Sequence, residues 1–184
     1  FKPKVANSKI HQKYDLQRNQ YVLVTLHRPS NVDDKEQLIK LIDLLNTIAE
    51  KRKVLFPIHP RTKNNLEDFG LLQTINSNLI LTEPIGYLDF LALTSNTELI
   101  LTDSGGIQEE STYLGIQCIT LRTSTERPIT VEVGTNQLLG NDLERAKLAA
   151  LDVLNGNIKK GSIPELWDGK ASDRIVEIIY KNLT

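Results

Sequence analysis

The sequence has no methionine, one cysteine, one tryptophan and three histidines in 184 residues. A lone Cys118 excludes an internal disulfide and a cysteine-based metal site, and it fits a reducing compartment. His11, His27 and His59 are dispersed and lack the H-E-x-x-H spacing, so no metal site is expected. Aromatics make up only 5% of the chain, and no apolar run approaches the ~20 residues of a membrane span. No signal-peptide pattern is present. The formal net charge of -1 gives no electrostatic reason to expect nucleic acid or an anionic membrane as the main partner. With no Met and with Phe1 at its start, the chain reads as a processed or trimmed product, or as an excised part of something larger.

What is present is an ordinary globular composition, 40% hydrophobic and 24% charged, in a length sufficient for one domain. Residues 1–20 are polar and basic with no sustained period. They read as a lead-in or linker, with a short helix over 8–14 as an option, before a domain spanning 21–184. From there apolar, β-branched runs recur at 21–26, 53–58, 78–82, 98–102, 117–121 and 136–140. Continuous apolarity without alternation suits strands buried on both faces of a parallel sheet. Helical patterns lie between them at 35–50, 87–95, 105–115 and 142–154, and a last one follows at 172–182. The first places Leu38, Leu41, Ile42, Leu45, Ile48 and Ala49 on one face, with Asp33 or Asp34 as its cap. The last places Ile175, Ile178 and Ile179 on one face, with Ser172 as its cap. Alternating strands and helices predict an α/β, Rossmann-like, doubly wound and mainly parallel six-stranded sheet.

In such sheets ligands bind outside the carboxyl ends of the strands. That rule selects His27-Arg28, His59-Pro60-Arg61, Glu83-Pro84, Asp103-Ser104, Arg122-Thr123 and Gly140, a set suited to an anion. Within "LILTDSGGIQEE" (99–110), Ser104 could be a nucleophile, an anion ligand or a helix cap. The nucleophile reading is disfavoured because Thr102 stands where a nucleophile elbow needs glycine. The anion reading has its parts: a helix starting straight after a strand, Gly105 and Gly106 to let a phosphate approach, and a small hydroxyl. There is no Walker lysine and no G-x-G-x-x-G. Glu109 and Glu110 lie about 100° apart on a helix, so only one can face a given point. Spacing alone leaves open which of them could accept sugar hydroxyls. "LRTSTERP" (121–128) interleaves hydroxyls with Arg122 and Arg127, as a phosphate loop or a solvated one would. Tyr87 or Phe90 could line a flat base or belong to the core.

In order and spacing, "VTLHRPSN", "FPIHPRT", "EPIGYLDFLAL", "TDSGGIQEE", "LGIQCITLRTSTERPITVEVGTNQLLG" and "GKASDRIVEII" resemble the C-terminal half of the non-hydrolysing UDP-N-acetylglucosamine 2-epimerases. The resemblance runs from about Tyr21 onward, and the pairing of D-S-G-G-I-Q-E-E with T-E-R-P is its most specific part. It implies one half of a glycosyltransferase-B type fold, the UDP-binding half, within an isomerase that inverts C2 by elimination and re-addition of UDP. It implies catalytic roles for His27 and Arg127 near the diphosphate. It implies Ser104, Gly105 and Gly106 at the phosphates, Glu110 rather than Glu109 on the ribose, and the backbone around Phe90 at the uracil. His59 and Arg28 complete the expected UDP-binding set. Glu109 is read as structural or solvated. The family's catalytic carboxylates belong to an N-terminal Rossmann-like domain that this chain lacks, so the isolated chain is expected to be inactive. No cofactor is implied. The intact enzyme is expected to be cytoplasmic and homodimeric and to feed surface polysaccharide synthesis.

Two departures from the better-known bacterial members are visible. Leu26 precedes His27 where they have glycine, and "HPRTKNN" replaces their N-P pair after the second histidine. Both point away from allosteric activation by substrate and toward a relative such as a 2,3-diacetamido uronic acid as an open choice of sugar. The rival readings are a glycosyltransferase nucleotide domain and a non-enzymatic nucleotide-sugar binding module.

Overall fold

The computed structural model describes Val5 and residues 7–183. In chain order it contains α1 (Ile10–Lys13), β1 (Tyr21–Thr25), α2 (Pro29–Val32), α3 (Lys35–Ala49), β2 (Lys53–Pro57), α4 (Pro60–Asp68), and a 3-10 turn (Leu72–Thr74). There follow β3 (Leu79–Thr82), α5 (Tyr87–Thr94), β4 (Leu99–Thr102), α6 (Gly105–Leu114), β5 (Gln117–Thr120), α7 (Pro128–Glu132), β6 (Asn136–Leu138), α8 (Leu143–Leu154) and α9 (Ala171–Leu183). The six strands form one sheet in the order β3-β2-β1-β4-β5-β6. All its pairings are parallel. The predicted mainly parallel sheet is therefore wholly parallel.

Successive strand residues feed opposite faces, which is why the apolar runs are continuous. Val22, Val24, Val54, Phe56, Leu99, Leu101 and Ile119 face one layer, packed on α3, α4 and α8. Tyr21, Leu23, Leu55, Ile100 and Cys118 face the other, against Leu93 of α5, Ile107 of α6 and the segment before β1. In that segment Leu16 is buried, and Ile10 and Tyr14 pack against the same cluster.

The stripe predicted on α3 is the buried one, with Leu38, Leu41, Ile42, Leu45, Ile48 and Ala49 all enclosed. Each leucine and isoleucine among them contributes roughly 1.5–3 kcal/mol of transfer free energy. Of the two cap candidates it is Asp34 whose carboxylate accepts the Gln37 amide, at 2.9 Å. Ser172 does not cap the last helix, because the helix begins one residue earlier and encloses it. Helix α4 was absent from the sequence reading. It buries only Thr62 and Leu66, too few positions to leave a 3.6-residue stripe.

Chain order along the sheet reverses between β1 and β4. From β1 the chain winds outward to β2 and β3, then crosses to β4 and winds outward again. The loops after β1 and β4 diverge there, opening a crevice at the carboxyl ends of the strands. All the candidate loops leave the sheet at this end.

Candidate functional site

The centre of the crevice is organised by Asp103, which follows β4 and is fully buried. Its Oδ2 accepts the backbone amides of His27 (3.0 Å) and Arg28 (2.9 Å) and the Asn31 side-chain amide (2.9 Å). Its Oδ1 lies 3.0 Å from His27 Nδ1. The Arg28 Nε donates to the Asp103 carbonyl at 3.0 Å. One buried carboxylate thus ties the β1 loop to the β4 loop across the reversal point. A buried charge persists only where donors surround it, and here they do. Asp103 carried no separate role in the sequence reading. Its importance comes from burial at a strand end, which spacing does not reveal.

The His27 ring stays open to the crevice, with its side chain 53% exposed. It lines a cleft of about 210 Å³ together with His59, Phe90, Pro84 and Ile85. His59 also caps α4, its Nδ1 accepting the Arg61 amide at 3.2 Å. Phe90 is half-buried and packs on the second core cluster while its edge reaches the cleft. On the other side of the β1 loop, Arg28, Ser30, Arg122, Thr123, Ser124 and Asn141 line a polar cleft of about 160 Å³. Arg122 is held there by a bidentate bond to Glu126, at 2.8 and 2.6 Å. That pairing draws the Glu126 carboxyl down to about 2.

Helix α6 starts directly after Ser104. Ser104 occupies the cap position, but its side chain makes no capping hydrogen bond. The expectation that it caps the helix is therefore corrected: the Ser104 amide is held by the Thr102 hydroxyl at 3.0 Å, and the Ser104 hydroxyl is left to the crevice. Gly105 and Gly106 have ordinary backbone angles, and a Cβ on either would meet nothing within 4 Å. The fold itself therefore gives no steric reason for two glycines, which cost up to ~1 kcal/mol each in a helix relative to alanine. At the other end of α6, Gly115 at φ 71° does have one, since it supplies the left-handed residue that ends the helix.

The two glutamates diverge as helical geometry requires. Glu109 ion-pairs with Arg127, with Oε1 2.8 Å from Nε, in an orientation that is not an aligned hydrogen bond. Glu110 accepts the Tyr87 hydroxyl on Oε1 at 3.2 Å, while its Oε2 is buried with no partner. Burial raises the Glu110 carboxyl above its ordinary value; Tyr87 opposes this and the nearby Glu109 charge adds to it. Arg127 opens α7, with Pro128 as the first helical residue.

The structure lines one cleft with His27, His59 and Phe90 and a second with Arg28, starts α6 after Ser104 with Gly105 and Gly106, and sets Arg127 against Glu109, whereas Glu110, further along α6, lines a separate pocket of about 320 Å³ with Tyr87, Leu91 and Tyr113. It adds Asp103 beneath the β1 loop, Tyr87 beside Glu110, and a buried amide, Gln108, behind Ser104. Among the described residues no group of three or more His, Cys, Asp or Glu could hold a metal ion, and no helix is long and apolar enough to cross a membrane.

Comparison with known proteins shows the family. The family model for UDP-N-acetylglucosamine 2-epimerase matches residues 1–180. A UDP-N-acetylglucosamine 2-epimerase from Methanocaldococcus jannaschii is 45% identical over 163 residues, 86% of this chain and 44% of its own length. The UDP-2,3-diacetamido-2,3-dideoxy-D-glucuronate 2-epimerase of Pseudomonas aeruginosa is 35% identical over 88% of this chain and 44% of its own length. A crystal structure of the M. jannaschii UDP-GlcNAc 2-epimerase in complex with UDP-GlcNAc and UDP matches 98% of this chain and 50% of its own, at a TM-score of 0.79 and 42% identity. The chain spans about half the length of the curated relatives it matches. It belongs to the UDP-N-acetylglucosamine 2-epimerase family.

Proposed function

We propose that this chain is the nucleotide-binding half of a UDP-N-acetylhexosamine 2-epimerase and that its crevice holds the UDP of the substrate. The observation that carries this reading is the pair of glycines at the start of α6. Neither backbone angle nor packing asks for them, so their reason lies in what approaches the backbone. A diphosphate set against the first amides of α6 needs that approach, and the free amides and helix dipole favour its charge. Ser104 adds a hydroxyl, His27 adds an exposed imidazole edge, and Arg127 adds a cationic donor. Glu110 presents a buried, unpartnered oxygen to the ribose hydroxyls. The cleft beside Phe90 takes the uracil.

The reaction proposed for the intact enzyme is elimination followed by re-addition. A base removes the C2 proton, the C–H pair becomes the C1–C2 double bond, and the C1–O bond breaks with its electrons leaving on UDP. Return of a proton to the opposite face of C2 and of UDP to C1 completes inversion. The residues of this chain serve the departure step by stabilising charge on the diphosphate. The base belongs to the other half of the protein, as do the contacts that select the sugar. Ile175, Ile178 and Ile179 of α9 are 56%, 60% and 52% exposed, an apolar face which that half would cover. Cytoplasmic location and a homodimer are proposed on family resemblance alone.

Gly106→Ala tests the reading. If the glycine serves the ligand, the substitution stabilises the free chain by up to ~1 kcal/mol and weakens UDP binding measured by calorimetry. A variant that is more stable and binds UDP as well as the parent would count against a phosphate at this helix start. By itself the chain should not exchange the C2 proton of UDP-GlcNAc in deuterated water.

A further inference from the structure

A second cation, Arg127, pairs with Glu109 at the exposed side of α6 and has no charged group holding its backbone. Arg127 sits in the loop after β5, and its main chain is held by neutral groups alone. Its amide donates to the Thr125 hydroxyl at 3.0 Å, and its carbonyl accepts the Thr130 hydroxyl at 2.7 Å. Each hydroxyl has one further bond, and both lead inward. The Thr125 hydroxyl donates to Gln108 Oε1 at 2.6 Å. The Thr130 oxygen accepts Asn136 Nδ2 at 3.0 Å. Asn136 Nδ2 donates its other proton to the same Gln108 oxygen at 3.2 Å, and its Oδ1 accepts the Thr120 hydroxyl at 2.7 Å. The Gln108 Nε2 donates to the Ser104 carbonyl at 3.2 Å.

The donors and acceptors in this set admit a single consistent assignment. The Ser104 carbonyl can only accept, so Gln108 turns its nitrogen to Ser104 and its oxygen to Thr125. The Thr125 hydroxyl, which accepts the Arg127 amide, then gives its one proton to that oxygen. Asn136 is fixed in the same way by Thr120 and Thr130. Gln108, Asn136, Thr130 and Thr120 are all fully buried, where such a circuit is rigid because any broken bond leaves an unsatisfied group away from water.

We infer that Gln108 is a positioning residue: through this circuit it sets the place of Arg127 relative to Ser104 and the start of α6. The inference rests on the proposed UDP site, whose cation and helix start it links. Two groups that must meet one diphosphate come from different loops, and the circuit fixes the distance between them before any ligand arrives. Pre-set geometry of this kind raises affinity by removing ordering cost from the binding step.

The test uses Thr125, because replacing Gln108 itself threatens the fold. Thr125→Val keeps the shape and removes the link. Calorimetry with UDP should show affinity reduced roughly tenfold, while the loss of two hydrogen bonds from the circuit lowers the thermal midpoint by only a few degrees and leaves the chain folded. Thr125→Ser restores the hydroxyl and should return affinity to within about twofold of the parent. Arg127→Ala weakens binding, and adding Thr125→Val to it should cost nothing more, since the link acts only through Arg127. Unchanged affinity in Thr125→Val, failure of Thr125→Ser to restore it, or additive losses in the double variant would each overturn the inference while leaving UDP binding intact. If the parent chain itself does not bind UDP, the functional reading fails and the inference falls with it.

Discussion

The two sides of the crevice hold their cations by opposite means. On the β1 side, His27 and Arg28 are gathered by one buried charge, Asp103, which takes two backbone amides, a side-chain amide and the imidazole edge. On the β5 side, the Arg127 backbone is held by hydroxyls and amides, with the Glu109 carboxylate reaching only its side chain. A charge concentrates many bonds on one residue, so its loss is severe and local. A neutral circuit spreads them over Thr125, Thr130, Asn136 and Gln108, so single losses are smaller but travel from loop to loop. The difference follows position. Asp103 spans the gap where the sheet order reverses and no strand pairing joins the loops, whereas the β5 loop lies over α6 and can be tied to it residue by residue.

The largest effect is expected from Asp103→Ala, which removes the acceptor of two part-buried backbone amides and of the buried Asn31 amide at once. Denaturant unfolding should show a loss of about 3–5 kcal/mol; a loss below 1 kcal/mol would mean the β1 loop is held by other means. Asp103→Asn is milder and more informative. Its oxygen can keep the three amide donors while its nitrogen faces His27 Nδ1, turning that ring nitrogen into an acceptor. Nitrogen-15 spectra should then show the His27 ring carrying its proton on Nε2, in contrast with Nδ1 in the parent.

Gln108→Leu comes next. It leaves the Ser104 carbonyl, the Thr125 hydroxyl and one Asn136 proton without partners, and should cost about 2–3 kcal/mol by the same measurement. If it proves as damaging as Asp103→Ala, the contrast between concentrated and distributed anchoring is wrong.

The smallest effect belongs to Glu110. Burial raises its carboxyl above the ordinary value of 4.5. A raised acid favours its proton in the folded chain, so ionised Glu110 subtracts stability above that range, and the loss is recovered as pH falls. Ribose hydroxyls need the ionised form, so UDP affinity should decline as pH drops from neutrality toward 4.5. In Glu110→Gln the part of the decline due to this carboxyl should vanish. Parallel pH profiles for the two proteins would remove Glu110 from the binding site.

The sheet was readable because both of its faces are buried. Each strand therefore appears as an unbroken apolar run, and the reading placed all six within about two residues of their observed ends. Helix α3 was readable for the complementary reason, one enclosed stripe. Helix α4 was not, although Pro60 after His59 is a start signal, because its packing rests on Leu66 and Thr62 alone. Site candidates could be picked from strand ends, where chemistry-bearing residues stand out. Asp103 and Gln108 could not be separated from their neighbours, because both act from beneath the surface. A carboxylate becomes an anchor, or a glutamine a relay, only once the strands are ordered and the loops above them brought together. The one available hint for Gln108 was a polar residue on the inner face of a short helix.

The most direct test of the account is a titration of the 184-residue chain with UDP, followed through backbone amide resonances. Saturable binding is predicted at millimolar UDP or below, with the largest shifts at Gly105, Gly106, Glu110 and Arg127 and with His27 also moving. Shifts confined to another face of the sheet, or none at millimolar UDP, would contradict the claim that this crevice is a diphosphate site.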